Sequence, residues 1–272
     1  MGAIFLYVAA GVMAGLVSGL FGMGGGLAVV PMLVLALTLV GIGPVYLMHL
    51  SLGTALCVMV LTSIYTTVLR GRSGDLEMGL LKALLLPVAL GAGVGSQISD
   101  QLPGLVLRIF FICFVLYMMA RLVRRVMGRQ SEPEQLKGTS GTLPTRAQSW
   151  GYGLIGGVCG ALLSIGVAAI MTPFLIRRGY RIQTASALAA ALAIVVGLAA
   201  GTGYIIGGLN EVGLPANSLG YVYLPALGGL AVGALAGSPL GIRLSHTLSE
   251  RIQLRLFLLY LAAVLVVMAT RT

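Results

Sequence analysis

Two glycine-rich apolar stretches recur in this chain at a constant offset of 142 residues. Gly11 falls on Gly153, Gly15 on Gly157, Gly24 on Gly166 and Pro31 on Pro173. Each glycine weakens a helix by about 1 kcal/mol and an internal proline by about 3 kcal/mol, so both stretches are helices prone to break. At membrane depth a broken backbone survives only where protein surrounds it or where it lines a cavity. A duplicated, breakable hydrophobic segment therefore points to a membrane transporter built from two halves.

Composition places the chain in the same class. With 58% hydrophobic and 9% charged residues and a mean hydropathy of +1.03, there is too little polar surface to solvate a soluble globule. The net charge of +10 sits in short basic clusters between apolar runs. That pattern belongs to a chain whose partner is the lipid bilayer, with no nucleic acid implied. Cys57, Cys113 and Cys159 are odd in number, far apart and embedded in apolar runs, and read as small hydrophobes. Met1 to Tyr7 lacks the basic flank of a cleavable signal and is read as part of the first membrane segment. No enzyme, cofactor or metal is implied. Only two histidines are present, the acids lie in loops or at the ends of apolar runs, and Gly22 to Gly26 is not followed by the Lys-Ser/Thr of a nucleotide loop.

Apolar runs bounded by charge or by Gly/Pro predict helices at 3 to 21, 27 to 42, 45 to 69, 79 to 99, 104 to 120, 150 to 163, 167 to 176, 183 to 208, 218 to 242 and 252 to 270. Most approach the roughly 20 residues a spanning helix needs. The short ones flank the glycine breaks. The expected fold is an all-α integral membrane protein of two inverted repeats, each a Gly-tipped helical hairpin plus three transmembrane helices. The first repeat is 1–120, a polar linker is 121–149 and the second repeat is 150–272. A cytoplasmic linker puts Arg70, Arg72, Arg177, Arg178, Arg181, Arg243 and Arg251 on its own side, as the positive-inside rule requires. An odd number of spans after each hairpin then inverts the second half.

Ser18-Gly19-Leu20-Phe21-Gly22-Met23-Gly24-Gly25-Gly26, followed by Val30-Pro31, resembles the first-repeat motif of the TauE/SafE family of sulfite and organosulfonate exporters. His49-Leu50-Ser51-Leu52-Gly53-Thr54-Ala55 resembles the family's His-x-Ala-x-(Ala/Gly)-Thr-Ser segment. Leu107-Arg108-Ile109-Phe110 and Leu254-Arg255-Leu256-Phe257 are similar to the element that opens the last span of each half. The second hairpin departs from the pattern: it reads Ser164-Ile165-Gly166-Val167-Ala168 where a second Gly-x-Gly-Gly-Gly is usual, and Ala55 replaces a Ser. The resemblance implies a multi-pass carrier of the bacterial inner membrane for small sulfur-containing anions, most often moving them outward.

An oxyanion needs hydrogen-bond donors and positive potential. Glycines expose backbone N–H groups, and a helix N-terminus carries roughly half a positive charge. The expected binding tips are Gly22, Met23, Gly24, Gly25 and Gly26 in the first hairpin and Ser164, Ile165, Gly166 and Val167 in the second. Ser164 would either cap the following helix or donate to the ligand. Gly11, Gly15 and Gly19, like Gly229, Gly233 and Gly237, have the small-xxx-small spacing of helix packing. Thr54 and Ser186 either complete the donor set or bond back to their own helices. His49, set against Arg181, is either a gate or proton-sensitive donor, or an interfacial histidine satisfied by backbone. Arg108 and Arg255 are either snorkelling anchors or mouth residues that attract anions. The leading function is export of small sulfur anions such as sulfite, sulfonates or sulfoacetate-like compounds. The alternatives are an importer of sulfite or thiosulfate-type anions, or a non-transporting membrane partner in sulfur metabolism. The residues fix no oligomeric state.

Overall fold

A computed structural model describes residues 2–21, 26–71, 76–126 and 144–270. Its helices are α1 (Gly2–Phe21), α2 (Gly26–Leu39), α3 (Pro44–Gly71), α4 (Met78–Gln101), α5 (Gly104–Val126), α6 (Arg146–Leu163), α7 (Ala168–Arg177), α8 (Ile182–Gly208), α9 (Leu224–Thr247) and α10 (Glu250–Thr270). Seven of them, α1, α3, α4, α5, α8, α9 and α10, are long and apolar enough to cross a membrane. The protein is an all-α membrane protein, and the breaks fall where glycine and proline interrupt the apolar pattern. In both hairpins the first helix outruns the second, 20 residues against 14 in one and 18 against 10 in the other.

One expected element starts late. The apolar run from 218 opens with a two-stranded hairpin, β1 (Ser218–Leu219) and β2 (Val222–Tyr223), before α9 begins. Asn217 and Gly220 take left-handed φ angles of 66° and 55°, which stops a helix there. A Cβ on Gly220 would also lie 2.1 Å from the Ile205 carbonyl. Glycine lets the turn lie directly on the end of α8, where Tyr221 N–H donates to the Tyr204 carbonyl at 3.1 Å.

Small residues set the packing. Gly11, Gly15 and Gly19 of α1 lie so close to Leu230, Ala234 and Ser238 of α9 that any added Cβ would sit under 3 Å from α9 backbone. Gly229, Gly233, Gly237 and Gly241 return the contact from α9. The matching contact in the other half of the molecule joins α4 and α6, where Gly91 and Gly95 meet Leu154 and Val158, and Gly157 meets Val88. Both pairs run parallel. Without a hydrophobic force between helices in lipid, such close backbone approach supplies the van der Waals contact that holds them. Thus the first helix of each hairpin packs on the fourth helix of the other half.

At the centre, α3 and α8 are the most enclosed of the long spans, while α5 and α10 are the least. α3 and α8 run antiparallel, because Gly53 meets Tyr204 and Val60 meets Gly197. α5 and α10 present Leu105, Ile109, Phe110, Leu259 and Val266 outward, an apolar surface that lipid covers. The chain thus has two ends. One gathers the end of α5, the start of α6 and the α7–α8 and α9–α10 turns; we call it the linker end. The other gathers the α2–α3, α4–α5 and α8–α9 connections and is the far end.

Candidate functional site

The start of α2 meets the end of α6. A Cβ on Gly26, the first residue of α2, would stand 1.6 Å from the Ser164 carbonyl oxygen and 2.9 Å from the Ile165 Cα. Glycine is required there because the opposite backbone already fills the space. Gly166 takes a φ of 72° and sits where a Cβ would press on Ala193 and on the Met59 sulfur. The contact thus lies about midway along α3. Gly22, Met23, Gly24 and Gly25, expected at the first tip, lie outside the described residues.

Ser164 has a different position from either sequence expectation. It ends α6 in the left-handed conformation, φ 52°, and its hydroxyl donates to the Leu52 carbonyl on α3 at 2.9 Å. It is fully buried. The following helix starts at Ala168 with Val167 at the cap position and no side-chain capping bond. The N–H groups of Ala168 and Ala169 precede the first intrahelical partner, so α7 offers its positive end bare.

A cavity of about 560 Å³ runs from these tips toward the linker end. Its floor holds Leu27, Ile165, Ala168 and Ala169, and its walls carry Ser18 of α1, Thr62, Ser63 and Thr66 of α3, Thr172 of α7, Ser186 of α8 and Ser238 of α9. Alanines and glycines fill most of the rest. Among the described residues Arg121, at the mouth, is the one charged lining residue, and no carboxylate lines the cavity. The Thr62 hydroxyl donates to the Val58 and Met59 carbonyls, and that of Thr66 to the Thr62 and Ser63 carbonyls. These two threonines therefore turn oxygen lone pairs, rather than donors, toward the space. Among the described residues no group of three His, Cys, Asp or Glu is placed to hold a metal ion.

Of the expected site residues, Ile165 and Ser186 line this cavity; Thr54 does not. Its fully buried hydroxyl accepts the Tyr223 backbone N–H at 3.0 Å, tying β2 to α3. The four expected gate or mouth residues also lie off the cavity. The His49 Nε2–H is shared between the Ser99 and Leu102 carbonyls at 3.2 and 3.1 Å, at the far end. Arg181 is an exposed residue preceding α8 at the linker end, so the two are separated by the length of the bundle. The Arg108 Nε–H donates to the Met268 carbonyl in the last turn of α10, and Arg255 is exposed. Arg121 was missed. Phe114, Met118 and Arg121 form an i, i+4, i+7 stripe facing the cavity. That spacing is visible in the sequence, but which face looks inward is not.

The far end is closed by a polar and aromatic cluster. The His49 ring stacks on Tyr221 at 4.9 Å between centroids, and Tyr221 meets Tyr204 edge-on at 6.4 Å. The Tyr46 hydroxyl donates to Glu211 at 2.9 Å, and Ser99 Oγ and Tyr204 OH lie 2.5 Å apart. Burial first, then the Glu211 and Asp100 carboxylates, push the Tyr221 phenol well above its ordinary pKa, so it remains a neutral donor.

The sequence has relatives among known proteins. The profile of the family described as Sulfite exporter TauE/SafE matches residues 7–268. A "Probable membrane transporter protein" of Haemophilus influenzae (strain ATCC 51907 / DSM 11121 / KW20 / Rd) is 28% identical over 238 residues, covering 88% of this chain and 87% of that protein. No solved structure matches the chain. Seven apolar spans, paired broken hairpins and a family match over nearly the whole length lead to one conclusion: the chain is a multi-pass membrane transporter belonging to the TauE/SafE sulfite exporter family.

Proposed function

We propose that the protein exports small sulfur-containing oxyanions such as sulfite and short sulfonates across the bacterial inner membrane, through the cavity at the linker end. The observation that carries this reading is the sign of the cavity: among the described residues Arg121 is its one charged lining residue and no carboxylate lines it, and the uncapped start of α7 forms part of its floor. A small anion is attracted there without being trapped by a deep fixed charge.

The linker end is taken as cytoplasmic, because Arg121, Arg124, Arg146, Arg177, Arg178, Arg181 and Arg243 gather there. The antiparallel run of α3 and α8 and the exchanged α1–α9 and α4–α6 contacts support inverted repeats, 1–120 and 150–272, joined by the linker. An anion leaving a negative interior gains about 2.3 kcal/mol per charge per 100 mV, so exit needs no coupling ion. Import would need one, and among the described residues no carboxylate lines the cavity to carry a proton.

The test is net flux of labelled sulfite in proteoliposomes with the potential clamped in either sense. Export predicts potential-driven flux of sulfite, competition by sulfonates and no cation current. Absence of flux under both potentials would favour a non-transporting role, and flux only with a proton or sodium gradient would favour import.

A further inference from the structure

A hydroxyl side chain inside a helix can give its proton to a carbonyl of the preceding turn. The cavity wall contains both this arrangement and two departures from it. Thr62 and Thr66 of α3 each bond back to their own helix. Ser63, between them, and Ser238 of α9 do not. Neither hydroxyl has a hydrogen-bond partner among the described residues, although the two residues are only 3% and 8% exposed. Both line the cavity. Thr172 is unbonded as well, but it is half-buried and open to water.

The repeat supplies an internal comparison. Ser96 of α4 precedes Ser238 by 142 residues, the offset that pairs the two halves. The pairing holds in space, since Gly95 packs on Val158 as Gly237 packs on Leu16, again 142 residues apart. The Ser96 hydroxyl is spent: it donates to the Gly93 carbonyl at 2.7 Å, and α8 covers it at Gly203. Equivalent serines are thus satisfied in one half and left free in the other, and the free one lines the cavity. Ser63 lies one turn of α3 beyond Met59, which packs against Gly166. Ser238 lies beside Gly19, near the end of α1. Both therefore stand near the helix breaks rather than at the mouth with Arg121.

A buried O–H without an acceptor is costly, and a ligand that brings an acceptor removes that cost. Arg121 shares this cavity and no carboxylate among the described residues does, so the fitting acceptor is negatively charged. We propose that Ser63 and Ser238, one from each half, are the hydroxyl donors that hold the oxyanion in this cavity. This rests on the anion reading above and deepens it. The ligand class is an oxyanion with two or more terminal oxygens, preferred over a halide of the same charge because it offers each serine an oxygen of its own.

The experiment combines two readouts on Ser63→Ala, Ser238→Ala and the double variant. Sulfite flux in proteoliposomes gives KM and the maximal rate. Thermal unfolding in detergent, in sodium methanesulfonate against sodium chloride of equal ionic strength, reads binding without transport. Each single variant should raise KM about fivefold, the worth of one net hydrogen bond, and the pair about 25-fold, with the maximal rate little changed. Each should shrink the rise in Tm caused by methanesulfonate, yet leave the ligand-free Tm unlowered, because no bond within the protein is lost and alanine suits a helix. Ser96→Ala should keep the wild-type KM and the wild-type methanesulfonate shift. An unchanged KM in either serine variant overturns the inference, and a lowered ligand-free Tm with unchanged KM would make that hydroxyl structural. An equal Tm rise in both salts, lost in the variants, would assign the serines to sodium or chloride and overturn it too. Sulfite flux that persists with unchanged KM leaves the anion reading intact. No sulfite flux in the wild type would sink both.

Discussion

The linker end and the far end are built from opposite materials. At the linker end, the walls are alanine, glycine and short hydroxyl side chains around a 560 Å³ space. At the far end, rings and carboxylates interlock: His49 between two carbonyls and Tyr221, Tyr46 on Glu211, Tyr204 on Ser99. Small residues leave volume that a ligand can fill. Directional bonds leave none, but each is individually breakable at about 1 kcal/mol. The two ends therefore differ in how much free energy resides in directional bonds, and on the proposed export route the far-end bonds have to exchange partners for the ligand to pass.

The junction between the two ends is the most sensitive place. Gly26→Ala drives a methyl group into the Ser164 carbonyl, and should cost on the order of 3 kcal/mol and abolish flux. Gly79→Ala, facing open space, should be neutral. Thermal unfolding in detergent compares the two variants. Equal stability would mean that the tips do not touch.

His49→Ala comes next. It leaves the Ser99 and Leu102 carbonyls without their shared donor and should destabilise the far-end seal by about 2 kcal/mol. A cysteine at the fully buried Ser51, two residues along α3 from His49, should then react faster with a charged thiol reagent. Unchanged reactivity would show that the seal lies elsewhere.

Arg121→Gln should slow anion flux about tenfold at low ionic strength, and less as salt screens the mouth. A salt-independent defect would point to structure rather than charge. The smallest effect belongs to Tyr46→Phe, which removes the exposed bond to Glu211 and should change stability by less than about 1 kcal/mol. A larger loss would promote that bond from the rim of the seal to its centre.

Much of this comparison could be read from the residues. Apolar runs and Gly/Pro breaks placed ten helices, and the offset of 142 paired the second breaks with the first. The site was less visible, for a physical reason. Aligning the halves matched His49 to Arg181 and Thr54 to Ser186, yet His49 lies at the far end and Arg181 at the linker end. When equivalent helices run antiparallel, equivalent residues share a site only near the middle, where Gly26 meets Ser164. Thr54 lay beyond reach for a second reason: its partner is a backbone N–H 169 residues away. Ser164 in the left-handed region, bonded to the Leu52 carbonyl 112 residues away, is likewise announced by no local pattern. Arg121 needed knowledge of which face of α5 looks inward.

The central claim is that the linker-end cavity is the oxyanion path. Its most direct test is a single cysteine at Ala190, on the cavity wall, with Cys57, Cys113 and Cys159 replaced. Vesicles of both orientations are treated with a membrane-impermeant thiol reagent, with and without propanesulfonate, which does not react with thiols. The account predicts labelling from the linker side, slowed by the sulfonate and unaffected by an equal concentration of an organic cation. Labelling from the far side alone, or slowing by the cation and not by the sulfonate, would contradict it.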